Sequence, residues 1–220
     1  MDKKFELIPS DIEGLFRVKA LKDFGNVKRC DIGGYIQSEY NLSHDGNCWI
    51  YDNAAVMGNA KVWGNAQIYN NAVVRGCAIV RDNAVICDNA RVYDNAKVYD
   101  NAIVRDNAQV CNNARVYDNA RIYDNVEVWD DAQVCGNASV WGRARICGDA
   151  IISSNKDYII FKNWWSSGRY FTWTRSNNMW KVGCFYGTGE ELIAKAYKDS
   201  EESGREYECI VKYVERILNS

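Results

Sequence analysis

Few residues of this chain have the chemistry of catalysts or metal ligands. His44 is the only histidine, and the nine cysteines include no Cys-x-x-Cys pair. A structural zinc site needs four clustered thiolate or imidazole ligands, and a general base at neutral pH is most often a histidine. The sequence therefore predicts no catalytic residue, no metal site and no cofactor.

A second group of residues suits binding. Residues 156–186 contain five lysines and arginines against one aspartate, together with four of the eight tryptophans. Cations interleaved with aromatic rings bind nucleotides, bases or sugars through stacking and phosphate pairing. A small sheet packed on helices would use the same aromatics as its core, so both interpretations remain open. The candidate residues for ligand or partner binding are Trp164, Trp165, Arg169, Tyr170, Trp173, Arg175, Trp180 and Lys181.

The elements that position such residues begin with a six-residue repeat. From Ala54 to Ala150 a small residue recurs at every sixth position, with Val126 as the exception, and Val or Ile follows two residues after each. Residues six apart drift off any helical stripe, and the strand-like alternation breaks after three residues. Each of the 17 hexads therefore predicts one short strand with an inward valine and one corner. Asparagine is expected to shape the corner, because it tolerates a positive φ.

The hexad Ile122–Glu127 resembles the repeat of hexapeptide proteins that fold as left-handed parallel β-helices. Three hexads form one triangular coil in that family, which gives about 18 residues per coil and ~4.8 Å between stacked strands. The resemblance implies a mainly β fold, namely a left-handed parallel β-helix with a small α+β unit at its C-terminal end. The 17 hexads predict roughly 5.7 coils.

An 18-residue coil aligns outward residues into rows of aromatic and basic side chains. Such rows either form a flat recognition face or are ordinary strand surface, and the sequence leaves both interpretations open. The first row holds Lys61, Ile79, Lys97, Arg115, Gln133 and Ile151, and its neighbour holds Trp63, Arg81, Tyr99, Tyr117, Cys135 and Ser153. A third row holds Tyr69, Cys87, Arg105, Tyr123 and Trp141.

The non-repetitive ends divide the chain into three segments. Residues 1–49 are predicted to be a β leader that caps the solenoid, because an open solenoid end exposes unpaired backbone groups. Residues 50–152 form the hexapeptide-repeat β-solenoid, and residues 153–220 form an α+β unit of three strands and two helices. A capping box at Thr188 and Glu191 predicts a helix start near Gly189. The strands are predicted at Tyr158–Asn163, Arg169–Thr174 and Met179–Tyr186, and the helices at 189–200 and 202–218.

Several leader segments resemble the leader of the YdcK-like hexapeptide-repeat β-solenoid family of bacterial and prophage proteins. They are Leu21–Lys28, Gly33–Ile36, Asn41–Ser43 and Gly46–Asp52. The resemblance implies the solenoid fold and an origin in a bacterium or phage. It implies little about activity.

Composition limits where the protein acts. The net charge is −2, and no apolar run approaches the ~18 residues of a membrane span. The segment Met1–Glu6 has no apolar core of a secretory signal. We expect no membrane association, a location in the cytoplasm of the bacterial host cell, and reduced thiols without structural disulfides.

These features favour a non-enzymatic binding protein of bacterial or phage origin whose partner is a protein or a nucleotide-like ligand. One role is phage inhibition of a host defence system, by binding a protein effector or by sequestering a nucleotide signal. The alternatives are an acyltransferase-like hexapeptide-repeat enzyme and a structural or virion component. An acyltransferase of this family uses a histidine base, whereas His44 lies at the leading edge of the solenoid.

The last predicted helix carries an apolar stripe that suggests self-association. A homo-oligomer is expected, with a dimer through the C-terminal unit favoured, because symmetric pairing buries leftover apolar surface. The stripe consists of Tyr207, Ile210, Val211, Val214, Ile217 and Leu218.

Overall fold

The structure is a computed structural model that describes residues 3–218. Met1–Asp2 and Asn219–Ser220, which the sequence assigns to the leader and to the C-terminal unit, lie outside the described residues. The leader begins with three strands, each antiparallel to the next in the chain. They are β1 (Phe5–Pro9), β2 (Phe16–Ala20) and β3 (Ile32–Ile36).

Two-residue strands then follow one another around three faces, and each face stacks parallel strands from successive coils. Face 1 contains β5 (Ala55–Val56), β8 (Val73–Val74), β11 (Arg91–Val92), β14 (Gln109–Val110), β17 (Glu127–Val128) and β20 (Arg145–Ile146). Face 2 contains β6 (Lys61–Val62), β9 (Ile79–Val80), β12 (Lys97–Val98), β15 (Arg115–Val116), β18 (Gln133–Val134) and β21 (Ile151–Ile152). Face 3 contains β4 (Trp49–Ile50), β7 (Gln67–Ile68), β10 (Val85–Ile86), β13 (Ile103–Val104), β16 (Arg121–Ile122) and β19 (Ser139–Val140).

The predicted 18-residue coil is confirmed by the strand register. Lys97 pairs with Ile79 on one side and with Arg115 on the other, as the predicted row requires. Every small residue from Ala54 to Ala150, and the Val or Ile two positions after each, is buried. Burying a valine side chain stabilises the fold by about 1.5–3 kcal/mol, so the stacked interior is the main source of stability.

The parallel stack starts earlier than the hexads do. Tyr35 and Ile36 of β3 pair in parallel with β5, and Leu42 bridges to Val62 on face 2. A 3-10 turn at Glu39–Asn41 connects these two points. Within residues 3–218, β3 and the six later strands of face 1 make seven stacked parallel strands. The first coil is therefore built from the segment that the sequence assigns to the non-repetitive leader.

The corners differ from the sequence expectation. The positive φ falls on the first corner residue, as in Asp100 (57°) and Gly136 (61°), and the asparagine that follows has a negative φ. The Asp100 carboxylate accepts the backbone N–H of Asp118 in the next coil at 3.2 Å. The asparagines bond to each other, as in the 3.1 Å bond that Asn83 Nδ2 donates to Asn101 Oδ1. The predicted positive φ is therefore wrong for the asparagine at the second corner position, because the left-handed conformation falls on the first corner residue. Asn70 (57°) and Asn112 (55°) have a positive φ, and both occupy that first position.

The start of the solenoid exposes carbonyl groups. Each coil donates its N–H groups to the carbonyls of the following coil, so the first coil has carbonyls without a strand partner. Lys4 Nζ donates to the carbonyls of Cys48 (3.0 Å) and Gly46 (3.3 Å). Lys4 is 1% exposed, and burial lowers its pKa. A buried lysine side chain thus replaces the missing strand at this end.

The last coil exposes N–H groups, and side-chain oxygens from residues 155–176 accept one from each face. This arrangement satisfies backbone donors that the next coil would otherwise accept. Ser139 N–H donates to Asn155 Oδ1 (2.7 Å), Arg145 N–H to Thr172 Oγ1 (2.9 Å), and Ile151 N–H to Ser176 Oγ (2.7 Å).

The C-terminal unit contains four antiparallel strands and two helices, against three predicted strands. The predicted strand 179–186 is split, because Gly183 (φ 57°) opens a two-residue turn of the kind that hairpins require. The capping box of Thr188 and Glu191 is confirmed. The elements are β22 (Tyr158–Lys162), β23 (Tyr170–Thr174), β24 (Met179–Val182), β25 (Phe185–Gly187), α1 (Gly189–Asp199) and α2 (Glu201–Leu218).

The C-terminal sheet lies between the last coil and the two helices. One of its faces supplies Tyr158 and Thr172, whose hydroxyl groups bond to Ser139 and Arg145 of the solenoid. The opposite face supplies Phe171 and forms a second hydrophobic core with α1 and α2. The unit therefore closes the solenoid and positions one end of its sheet beside the last coil.

Candidate functional site

The predicted aromatic and basic patch does not form a single surface. Trp173 is 0% exposed and Trp180 is 1% exposed, and both belong to the core between sheet and helices. Side chains alternate across a strand, so Phe171 and Trp173 face the helices while Tyr170 and Thr172 face the solenoid. Trp173 and Trp180 are therefore core residues, and their assignment as binding residues is wrong.

Trp165 also packs into that core. Its ring lies 4.9 Å from the ring of Tyr207 and 6.3 Å from that of Phe171. Its Nε1 is buried without a hydrogen-bond partner within the described part of the chain. Trp165 therefore supports the loop that follows β22 and is only partly accessible.

The remaining candidates lie at two ends of the sheet. Arg169 and Arg175 flank β23 on opposite sides, which separates them by about 20 Å at ~3.3 Å per residue. Lys181 pairs with Thr172 in the middle of β23, and its Nζ sits 5.7 Å from the ring of Trp129 on the solenoid. Trp164 is 71% exposed in the loop that joins Lys162 to Arg169. Only Trp164, Arg169 and Tyr170 therefore remain at one end.

At that end, a cleft of about 390 Å³ separates the last coil from the sheet. We call it the junction cleft. It is lined by Asp124, Asn125, Trp141, Gly142, Arg143, Ile160 and Tyr170.

Two neighbouring elements hold the aromatic residues of the junction cleft. Trp141 follows β19 in the last coil, and Tyr170 begins β23, where it pairs with Lys162. The Tyr158 hydroxyl donates to the Ser139 carbonyl at 3.0 Å and fixes the sheet against β19. Strand β22 therefore links the two rings, because it pairs with β23 and is hydrogen-bonded to β19, which precedes Trp141.

The junction cleft combines exposed rings with nearby cations that form no ion pair among the described residues. Trp141 is 52% exposed and Tyr170 is 40% exposed. The Arg143 guanidinium lies 5.6 Å from the Tyr170 ring, and Lys162 Nζ lies 6.0 Å from it. Among residues 3–218, Arg143, Lys162 and Arg169 form no ion pair.

The acidic residue of the junction cleft is already engaged. Asp124 Oδ2 accepts the backbone N–H of Gly142 at 2.8 Å, and Gly142 has a φ of 75°. This carboxylate is thus a corner residue like the other aspartates of the solenoid. Flat rings and free cations around a small cleft can stack on a planar group and pair with an anion.

Two overlapping segments of the solenoid match a known repeat family. Residues 108–124 and residues 114–128 match the family described as the YdcK Beta solenoid repeat. Residues 108–128 of the solenoid therefore carry YdcK β-solenoid repeats. A search of curated proteins finds no match to the chain. The matched residues lie in the hexads, so the similarity of the leader to that of the YdcK-like family stays a prediction.

His44 lies at the leading end of the solenoid, where it contacts other leader residues. Its Nδ1 accepts the Lys4 backbone N–H at 3.2 Å, and its Nε2 lies 2.8 Å from Glu39 Oε1. Its ring stacks on Phe5 at 4.2 Å. Both ring nitrogens are therefore engaged in holding the leader against the first coil.

The apolar stripe of α2 packs largely within the same chain. Tyr207, Val211 and Val214 are buried against the C-terminal sheet, and Ile210 contacts the same core. Leu218 is 38% exposed. The homodimer stays a prediction, with less apolar surface to bury than the sequence suggested.

The nine cysteines are free, and their burial varies. Among the described residues, no group of three or more His, Cys, Asp or Glu side chains is placed to hold a metal ion. Within residues 3–218, neither helix has the length and hydropathy that a membrane crossing requires.

Of the seven lining residues of the junction cleft, the sequence named Tyr170 as a binding candidate and Trp141 as part of an outward row, and it assigned no site role to the other five. Arg143 belongs to the corner after Trp141, and Ile160 belongs to the solenoid side of β22. The repeat breaks at Ser153, so the coil immediately before it had to contact the C-terminal unit. The end of the repeat, together with the alternation of residues along β22 and β23, could have predicted which residues meet at the cleft.

Proposed function

We propose that this protein is a non-enzymatic binding protein that holds a planar, phosphate-bearing ligand of the nucleotide class in the junction cleft. The base would stack on Trp141 or Tyr170, and a phosphate would pair with Arg143, Lys162 or Arg169. Base stacking on an aromatic side chain contributes about 1–3 kcal/mol, and a hydrogen bond to a charged group contributes about 1.5–3 kcal/mol.

The observation that carries this proposal is the presence of three cations without ion pairs beside two exposed aromatic rings. The neighbouring arginine of the last coil is neutralised, since Arg145 Nε contacts Glu127 at 3.2 Å. Other arginines stack on tyrosines along the solenoid, as Arg81 does on Tyr99 at 4.3 Å. At the junction such groups line a concave space that has room for part of a ligand.

We further propose a bacterial or phage setting, in the cytoplasm of the host cell. The support is the resemblance of the leader to the YdcK-like family of bacterial and prophage proteins. In that setting, sequestering a nucleotide signal of a host defence system is the role that the junction cleft fits. Binding of a protein effector is the second form of the same proposal, and the Arg-Tyr stacks of the solenoid would be its surface.

The acyltransferase alternative would need a histidine base, and the geometry of His44 argues against that role. Both of its ring nitrogens have partners, and it packs on Phe5 at the opposite end of the solenoid from the junction cleft. A substrate hydroxyl would have to displace Lys4 or Glu39 to reach it. We therefore favour binding over acyl transfer.

The test is isothermal titration of the full chain with ATP as the probe. We expect saturable one-site binding that weakens about tenfold or more in Arg143→Ala and in Trp141→Ala, since 1.4 kcal/mol corresponds to a factor of ten. The matched control is Arg91→Ala, because Arg91 is exposed on face 1 and forms no ion pair among the described residues. Absence of binding, or equal losses in Arg91→Ala and Arg143→Ala, would overturn the proposal.

A further inference from the structure

We infer that the ligand of the junction cleft is a nucleoside that carries phosphates on both its 5′ and 3′ oxygens, as in an internal unit of a phosphodiester-linked dinucleotide. This inference rests on the proposed function and concerns what lies on the other side of Trp141. Along the solenoid, Trp141 lies between Arg121, which is in register with Ser139 one coil earlier, and Arg143, which follows it by two residues. A single phosphate can reach only one of these two cations.

The first group of cations belongs to the C-terminal side. Arg143 follows Trp141 by two residues, and its guanidinium lies beside Tyr170. Lys162 is the strand partner of Tyr170, and Arg169 directly precedes it. Arg143 lines the cleft, and Lys162 and Arg169 lie next to Tyr170 at the end that the sheet forms.

The second cation lies on face 3 of the solenoid. Arg121 pairs in register with Ser139, so it sits one coil before the strand that leads into Trp141. Outward residues alternate, which places Arg121 and Tyr123 side by side below Ser139 and Trp141. Arg121 is exposed and forms no ion pair within the described residues.

The neighbouring arginine in this area is already occupied. Arg105 stacks on Tyr123 at 5.1 Å, and its Nε lies 3.7 Å from Asp106. Arg121 therefore differs from Arg105 in having no carboxylate partner. It is the residue on this side that can accept an anionic group without breaking an existing ion pair.

The spacing of the two cation groups sets the size of the ligand. Arg121 and Arg143 are separated by one coil and by four residues along the chain, which places them on the order of 10–15 Å apart at ~4.8 Å per coil and ~3.3 Å per residue. Asp124 lies at the corner between the two arginines, and its carboxylate would repel a phosphate placed at that corner. Two phosphates, one on each side of a stacked base, match this pattern of cation, ring and cation.

The experiment compares AMP, which has one phosphate, with pApA, whose first adenosine lies between two phosphates. Both are titrated into the full chain at the same salt concentration, because phosphate contacts depend on salt. We expect pApA to bind about tenfold tighter than AMP or more. Adenosine 3′,5′-bisphosphate serves as a third probe, which shows whether the second base contributes.

The variants separate the two sides. Arg121→Ala should remove the preference for pApA and leave AMP binding unchanged, whereas Arg143→Ala should weaken both ligands. Arg91→Ala is the control for loss of a surface charge, and thermal unfolding checks that each variant is folded. Equal binding of AMP and pApA, or a preference that survives in Arg121→Ala, overturns this inference and leaves the proposed function in place. Absence of binding by every nucleotide overturns the proposed function itself.

Discussion

The corner aspartates show how one residue type can meet two local requirements. Asp100 has a φ of 57°, in the left-handed region that most residues avoid. Its carboxylate also accepts the N–H of Asp118 in the following coil. Glycine meets only the conformational requirement, and alanine meets neither.

Substitution of Asp100 should therefore follow an order set by these two requirements. We expect Asp100→Ala to destabilise the protein by about 2 kcal/mol, since it adds left-handed strain to the loss of a hydrogen bond. Asp100→Gly should cost about 1 kcal/mol or less, and Asp100→Asn should remain close to the parent protein. Urea unfolding followed by circular dichroism measures the three values. A glycine variant less stable than the alanine variant would contradict this account.

At this scale the sequence predicted the inward residues and not the corner geometry. Val98 and Ala96 belong to a six-residue apolar repeat that only one packing satisfies. The sequence alone therefore predicted that both side chains are buried. Asp100 and Asn101 are both polar turn residues that tolerate a positive φ. Their different roles depend on which side chain reaches the next coil. The way the coils stack determines this, and the local sequence does not.

Among the elements, strands β22 and β23 decide which aromatics are available for binding. Phe171 and Trp173 point toward the helices, and Tyr170 and Thr172 point toward the solenoid. The period-two pattern of these strands was present in the sequence. What the sequence lacked was the identity of the layer on each side, because both layers are formed by distant segments.

Tyr158 joins the sheet to the last coil and makes this junction sensitive to alkaline pH. It is 7% exposed, and burial raises its pKa to about 12. An unfolded tyrosine has a pKa of about 10, so between these values the unfolded state loses a proton that the folded state keeps. The contribution of Tyr158 to stability is therefore fully present below pH 10 and is lost as the pH rises through the folded pKa.

The variant Tyr158→Phe isolates this effect. At neutral pH it should be less stable than the parent by about 1 kcal/mol, since the hydrogen bond to the Ser139 carbonyl is lost. We expect this difference to shrink and then reverse between pH 10 and pH 12, with a total change of about 2 kcal/mol. Denaturant unfolding at a series of pH values measures it, and the other tyrosines contribute equally to both proteins. A difference that is constant with pH would refute the assignment.

The first coil and the last hairpin are two elements that the sequence did not predict. Ile36, Leu42 and Ile50 occupy the first coil, but their spacing of six and then eight residues breaks the hexad pattern. Gly183 divides the strand at 179–186 in a way that requires a hairpin partner. Each of these features depends on contacts with a neighbouring coil or strand.

The whole molecule consists of two hydrophobic cores joined by polar contacts and by Tyr158 and Ile160, which pack on the solenoid core. One core runs through the solenoid and the other lies between the C-terminal sheet and its helices. Thr172 is 1% exposed, and it accepts the Arg145 N–H at 2.9 Å where the two parts meet. The junction cleft lies along this same boundary, so its geometry depends on how firmly the parts are joined.

Replacing Thr172 by valine should loosen this boundary without emptying either core. Valine keeps the shape of threonine, but it leaves the Arg145 N–H buried without an acceptor, at a cost of about 1–3 kcal/mol. Because this N–H links the two cores, we expect α1 and α2 to lose hydrogen-exchange protection while strands β8–β16 keep theirs. Thr172→Ser is the matched control, since it retains the hydroxyl group. Mass-spectrometric hydrogen exchange on both variants decides the point, and an equal loss of protection along the whole chain would show that the two cores unfold as one unit.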